Sequence, residues 1–137
     1  MIQTLMLDTN MCSYILRGTS PAARRKLTVL KENEIACISA ITEGEIRYGL
    51  ARRPSTALYA AIEGFLAKIQ VLPWGRDEAT VYGQLRAKQE RAGRPLGNMD
   101  MLIAAHAISS EAVLVTRDRA FAHVEGLAGM VNWATDL

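Results

Sequence analysis

The sequence predicts an α/β fold, a central and mainly parallel sheet of four to five strands with helices on both faces. Short apolar runs at Leu5–Leu7, Ile35–Ile38, Val71–Leu72 and Val113–Thr116 alternate with longer segments of helical periodicity. Strand–helix alternation of this kind produces crossover connections, and crossovers join parallel strands. The runs also lack polar alternation, as expected of strands buried on both sides.

Taken in order, the first strand ends on Asp8, and Asp8-Thr9-Asn10 leads into a helix over Met11–Leu16. Ser20-Pro21 opens a second helix, a cap residue followed by Pro at the first helical position, and Asn33 closes it after Glu32. The second strand, Ile35–Ile38, hands over at Ser39, another cap, to a helix over Ala40–Ala51. Pro54-Ser55 interrupts, and Leu58, Ile62, Phe65, Leu66 and Ile69 then mark an amphipathic helix running to Ile69. Val71-Leu72 is a short strand stopped by Pro73, and a long helix covers Asp77–Arg91. Ala92 to Asn98 is the one long breaker-rich loop, and a helix over Met99–Ser109 starts directly behind it. Val113–Thr116 ends at Arg117-Asp118, a turn holds Phe121, and Met130-Val131 is a candidate edge strand.

At 137 residues the chain suits one domain, 1–137, with no repeat or linker to mark a second. Half of its residues are hydrophobic, yet no apolar run reaches the length of a membrane span and no signal peptide precedes the first strand, so a cytoplasmic location is expected. Cys12 and Cys37 form no CxxC motif and fit as small core residues. The formal charge of +2 is mild, but basic residues cluster at Arg24-Arg25-Lys26, Arg52-Arg53, Arg86 to Arg94, and Arg117 with Arg119. Such clusters suit a polyanion, and equally a solvated helix face.

The acids carry the chemistry. In a parallel sheet the strand C-termini share one rim, where ligands bind. Asp8 follows the first strand, Glu43 and Glu45 the second, Asp118 the fourth, and Asp100 opens the helix behind the loop. Carboxylates gathered at one rim repel one another unless protons or a cation neutralise them, and hard divalent ions favour such oxygens. Each acid also has a plainer reading: Asp8 as a helix cap, Asp100 as a first-turn acid complementing the helix dipole, Asp118 as a cap of the Phe121 turn. Glu43 and Glu45 differ by about 200° around their helix, so both cannot face one site. Glu43 stands four residues before Arg47, the order of a surface ion pair. Glu45 shares a stripe with Ile41, Thr42, Tyr48 and Gly49, which is expected to face the sheet. His106 is expected to be packed rather than a ligand, and His123 has no acidic or Cys neighbour at ligand spacing. No Ser-His-Asp or Cys-His set and no phosphate loop can be assembled, so an acid cluster without a His base points to metal-assisted hydrolysis.

Met6-Leu7-Asp8-Thr9-Asn10, Ser39 to Thr42 with Glu45, Tyr48-Gly49, Gly93-Arg94-Pro95 before Asp100, and Leu114-Val115-Thr116 with Asp118 together resemble the PIN-domain ribonucleases, in particular the VapC-type toxins of toxin–antitoxin pairs. The resemblance covers nearly the whole chain. It implies an α/β/α sandwich and endonucleolytic RNA cleavage with Mg²⁺ or Mn²⁺, leaving a 5′-phosphate and a 3′-hydroxyl. It also implies a VapB-type antitoxin as partner and a homodimer. Carried over by motif, Asp8, Glu45, Asp100 and Asp118 are the catalytic acids, with Asp8 and Asp100 holding the metal most directly. Thr9, Asn10 and Thr116 are their supporting groups. Members of the family often carry a further acid where this chain has Ala120. Arg91 and Arg94 before Asp100, and Arg117 and Arg119 around Asp118, are candidates for steering the RNA backbone. Two rival classes stay open at this level: a Mg²⁺-binding phosphoacceptor signalling domain, and a non-catalytic RNA- or protein-binding module. The first needs paired acids after the first strand and a late-strand Lys, neither visible here; the second gains nothing from negative charge in its groove.

Overall fold

The N-terminal apolar run becomes the central strand. In the computed structural model, which describes residues 1–137, β1 (Gln3–Leu7) is flanked by β2 (Glu34–Ser39) and β4 (Val113–Val115). β3 (Gln70–Leu72) extends the sheet beyond β2, and β5 (Met130–Val131) beyond β4, giving the order β3-β2-β1-β4-β5 with every pair parallel. The edge strand expected at Met130-Val131 is present.

Strand geometry sends neighbouring side chains to opposite faces, and two cores result. Leu5, Leu7, Ala36, Ile38 and Val115 face one side, against Met11 and Ile15 of α1 (Thr9–Arg17), Ala23 of α2 (Pro21–Thr28), Ile46 of α3 (Ala40–Arg52) and Ile62 and Phe65 of α4 (Thr56–Leu66). Met6, Cys37 and Leu114 face the other, against Leu85 of α5 (Arg76–Arg91) and Met101, Ile103 and Ala104 of α6 (Asn98–Ser109). The α/β/α sandwich is therefore as expected, with both thiols buried and unpaired. No helix is long and apolar enough to cross a membrane.

Two helices end sooner than their periodicity suggests. α2 stops at Thr28, because Val29 to Asn33 offers the core a single residue and no continuous face: Val29, Lys31, Glu32 and Asn33 are exposed and only Leu30 packs against it. Glu34 instead closes a local turn, its Oε1 accepting from the Lys31 N–H at 2.9 Å. α4 stops at Leu66, and Ile69 reaches the core from the connection to β3, buried like a helix residue without being one. His106 is wholly buried, its Nδ1 2.7 Å from Ser39 Oγ, so it ties α6 to the start of α3.

Candidate active site

The chain leaves β1 toward one edge of the sheet and β4 toward the other, so strand order reverses between them and a crevice opens at their C-terminal ends. Asp8 sits at its mouth. Its N–H donates to the Val115 carbonyl at 3.1 Å, which fixes the backbone at the β1/β4 junction. Its Oδ1 accepts from the Met11 N–H at 2.8 Å, so Asp8 is also the N-cap of α1. Its Oδ2 accepts from the Thr116 hydroxyl, which in turn accepts the Asp118 N–H at 3.0 Å. The Asp8 side chain is buried with no cation against it. Burial pushes its carboxyl up to about 6, beyond what the Thr116 and Met11 hydrogen bonds recover, and Asp100 and Asp118 add like-charge repulsion.

The other acids converge on this point from three further elements. Asp100 lies in the first turn of α6, half-buried, with no hydrogen bond or ion pair inside the chain. Its carboxyl is also raised, by burial first and then by the charges of Asp118 and Glu45. A dipole-complementing surface acid does not show that pattern. Asp118, exposed, follows β4 and caps the 3-10 turn Arg119–His123 through the Ala120 N–H at 2.9 Å. Glu45 on α3 accepts the Thr9 hydroxyl at 2.6 Å.

The plainer and the chemical readings thus coexist for Asp8 and Asp118, which cap and also face the other acids. Glu43 is separated from the group by its ion pair with Arg47 at 3.0 Å. One part of the helix argument needs correction. α3 buries Thr42 and Ile46, while Tyr48 and Gly49 are exposed, so Glu45 lies on the border of the buried face and not in its middle. Of the supporting groups, Thr9 and Thr116 bond to site acids, whereas the Asn10 side chain bonds to nothing within the chain and faces the crevice cavity. Arg117 and Arg119 line that cavity beside Asp8 and Asp118. Arg91 and Arg94 do not; they lie exposed at the end of α5 and in the loop behind it, where the Gln89 side-chain amide holds the Arg94 carbonyl at 2.9 Å. Sequence reasoning missed Tyr14, one helical turn after Asn10, which lines the same cavity.

No three Asp, Glu, His or Cys side chains form a ready-made ligand cage. The donor chemistry nevertheless fits a hard divalent ion. The oxygens are carboxylate, two of the carboxyls are raised by burial first and by their like-charged neighbours second, and Mg²⁺ commonly takes only one or two protein carboxylates while keeping several waters.

Comparison with known proteins agrees with this geometry. A PIN domain matches residues 5–127. The tRNA(fMet)-specific endonuclease VapC of Shigella flexneri is 41% identical over 125 residues, covering 89% of this chain and 92% of the relative. Ribonuclease VapC2 of Rickettsia felis is 32% identical, covering 93% and 96%. Among solved structures, VapBC2 from Rickettsia felis bound to a DNA fragment from their promoter superposes with a TM-score of 0.89 at 30% identity, covering 96% of this chain and 99% of that one. DNA-bound VapBC from Salmonella typhimurium gives 0.84 at 34% identity, covering 97% and 99%. The chain belongs to the PIN-domain family, among its VapC ribonucleases.

Proposed function

We propose that this chain is the endoribonuclease toxin of a toxin–antitoxin pair, hydrolysing RNA phosphodiesters at the β1/β4 crevice with Mg²⁺ or Mn²⁺ and held in check by a VapB-type antitoxin. The observation that carries the metal-site reading is Asp8: a buried carboxylate at a strand terminus, raised to about 6, with two other site acids adding repulsion and no cation of the chain against it. A fold keeps such a group where a ligand compensates it.

A bound divalent ion supplies Lewis-acid stabilisation of phosphoryl charge and acidifies an attacking water. Asp8 and Asp100 would hold it, with Glu45 and Asp118 acting partly through water. Thr116 orients Asp8 by its hydroxyl, and because the same oxygen accepts from the Asp118 N–H, the ends of β1 and β4 are set as one unit. Thr9 does the equivalent for Glu45, tying α3 to the first turn of α1. Arg117 and Arg119 place positive charge beside the acids, where it offsets the repulsion an RNA backbone otherwise meets. Family membership and this grouping of acids leave neither the phosphoacceptor nor the binding-module class with an observation in its favour. The relative named for tRNA(fMet) makes that tRNA the first substrate to try.

Expression of the chain alone in bacteria tests the toxin reading. Growth should arrest with RNA fragmentation, and co-expression of a cognate VapB-type antitoxin should restore growth. Unimpaired growth with intact RNA refutes the reading.

A further inference from the structure

The crevice cavity holds more than acids. It measures about 300 Å³ and is lined by Asp8, Asn10, Tyr14, Arg117, Asp118 and Arg119. Asn10 and Tyr14 stand four residues apart, and so on one face of α1. The adjoining face, with Met11, Cys12 and Ile15, is buried in the core, and Tyr14, three residues after Met11, stands at its edge. The Tyr14 ring packs partly against that core, while its hydroxyl has no hydrogen-bond partner in the chain and is not sealed from solvent. The Asn10 amide is likewise unpartnered and exposed. Arg117 and Arg119 are exposed and make no ion pair.

The lining is thus sorted by chemistry. Its arginines match phosphate oxygens. Its phenol and amide are neutral groups able both to donate and to accept, as a sugar hydroxyl is. The ribose 2′-hydroxyl has that same dual character, and it is the group by which a protein distinguishes RNA from DNA at one position. We infer that this cavity seats the nucleotide next to the scissile phosphate, with the Tyr14 hydroxyl hydrogen-bonded to its ribose 2′-hydroxyl. Tyr14 is then a substrate-binding residue that selects RNA over DNA. The inference rests on the ribonuclease reading above.

The test crosses one atom on the enzyme with one on the substrate. An RNA that the parent enzyme cuts is remade with a single 2′-deoxy residue at each position flanking the cut. Cleavage of each is then measured with the parent and with Tyr14→Phe, which keeps the ring in the core. For the parent, one deoxy position should lower kcat/KM by about five- to tenfold, the effect of one neutral hydrogen bond. Tyr14→Phe should show a similar loss on the all-ribose strand and no further loss at that position, because the two changes remove the same bond. Equal deoxy sensitivity in parent and variant overturns the inference, and places the hydroxyl on a phosphate if Tyr14→Phe is slower on every strand. An unaffected Tyr14→Phe beside an impaired Tyr14→Leu also overturns it, in favour of contact through the ring. A parent that cuts no RNA removes the ribonuclease reading together with this one, whereas a parent that cuts while Tyr14→Phe behaves identically removes this one alone.

Discussion

Replacing Asp8 by Asn should stabilise the metal-free protein at neutral pH while abolishing cleavage. The ordinary Asp value is 3.8 and burial raises Asp8 to about 6 in the folded chain. Between those two values the folded state binds more protons than the unfolded one, so stability falls as pH rises through that window. About two pH units at 1.36 kcal/mol each is a loss of about 3 kcal/mol, fully in force by pH 7 and absent below pH 4. Asn removes the buried charge and remains a good N-cap through the Met11 N–H. With Oδ1 kept as the cap, Asn puts an amide donor where Oδ2 accepted the Thr116 hydroxyl, and re-pairing that hydroxyl costs about 1 kcal/mol. The net gain at pH 7 is about 2 kcal/mol, or about 6 °C in Tm for a chain of this length. Urea titrations of parent and Asp8→Asn in EDTA at pH 4, 5, 6 and 7 measure it. The two stability curves should cross near the acid end and diverge toward neutrality, with the variant above. A variant less stable than the parent at pH 7, with an unchanged pH slope, refutes the reasoning and leaves Asp8 a cap alone.

Glu45→Gln should cripple cleavage and weaken Mn²⁺ binding while Glu43→Gln leaves both near normal, since Glu43 serves only a solvent-screened surface ion pair with Arg47; kinetics and Mn²⁺ titration of both variants decide it. Arg119→Ala should weaken RNA binding similarly across sequences and lower the salt slope by about one, and Arg94→Ala, away from the cavity, should do so less; filter binding over a salt series checks the order. Cys12, raised well above its ordinary range, and Cys37, pushed up to about 12, should both resist a thiol reagent at pH 8 until urea unfolds the chain, as burial disfavours the thiolate.

The sheet and most helix starts were legible in the sequence because local rules agree there with the tertiary structure. Ser20 and Ser39, read as caps, each cap the helix that follows, and the apolar runs that lack polar alternation are strands covered on both faces; Ser55, read only as part of an interruption, also caps its helix. Helix ends were less legible. Lys31 and Glu32 are adequate helix formers, but helix persistence depends on a buried face, and that part of the chain has none to offer. Ile69 kept the helical period of α4 by coincidence, being buried from a connection. The acids at strand ends were recognisable because parallel topology alone brings such ends together. What topology could not give was the inward choice among basic residues. Arg91 and Arg94 are as densely clustered in sequence as Arg117 and Arg119, and only the path of the chain places the second pair beside Asp8. Tyr14 had no signal of its own, since one aromatic residue at helical spacing from Met11 reads as core.

The central claim is that the acids at the β1/β4 crevice hold a divalent ion that RNA hydrolysis requires, and Asp100 tests it most directly because it carries no hydrogen bond or ion pair in the fold. The measurement is cleavage of a defined RNA by parent and Asp100→Asn in Mg²⁺, in EDTA, and in EDTA followed by excess Mg²⁺, with thermal unfolding followed in EDTA. The account predicts that the parent cuts, stops in EDTA and resumes with Mg²⁺, while Asp100→Asn never cuts and melts no lower than the parent. Cleavage that persists in EDTA or in Asp100→Asn, or a variant that melts well below the parent, contradicts it.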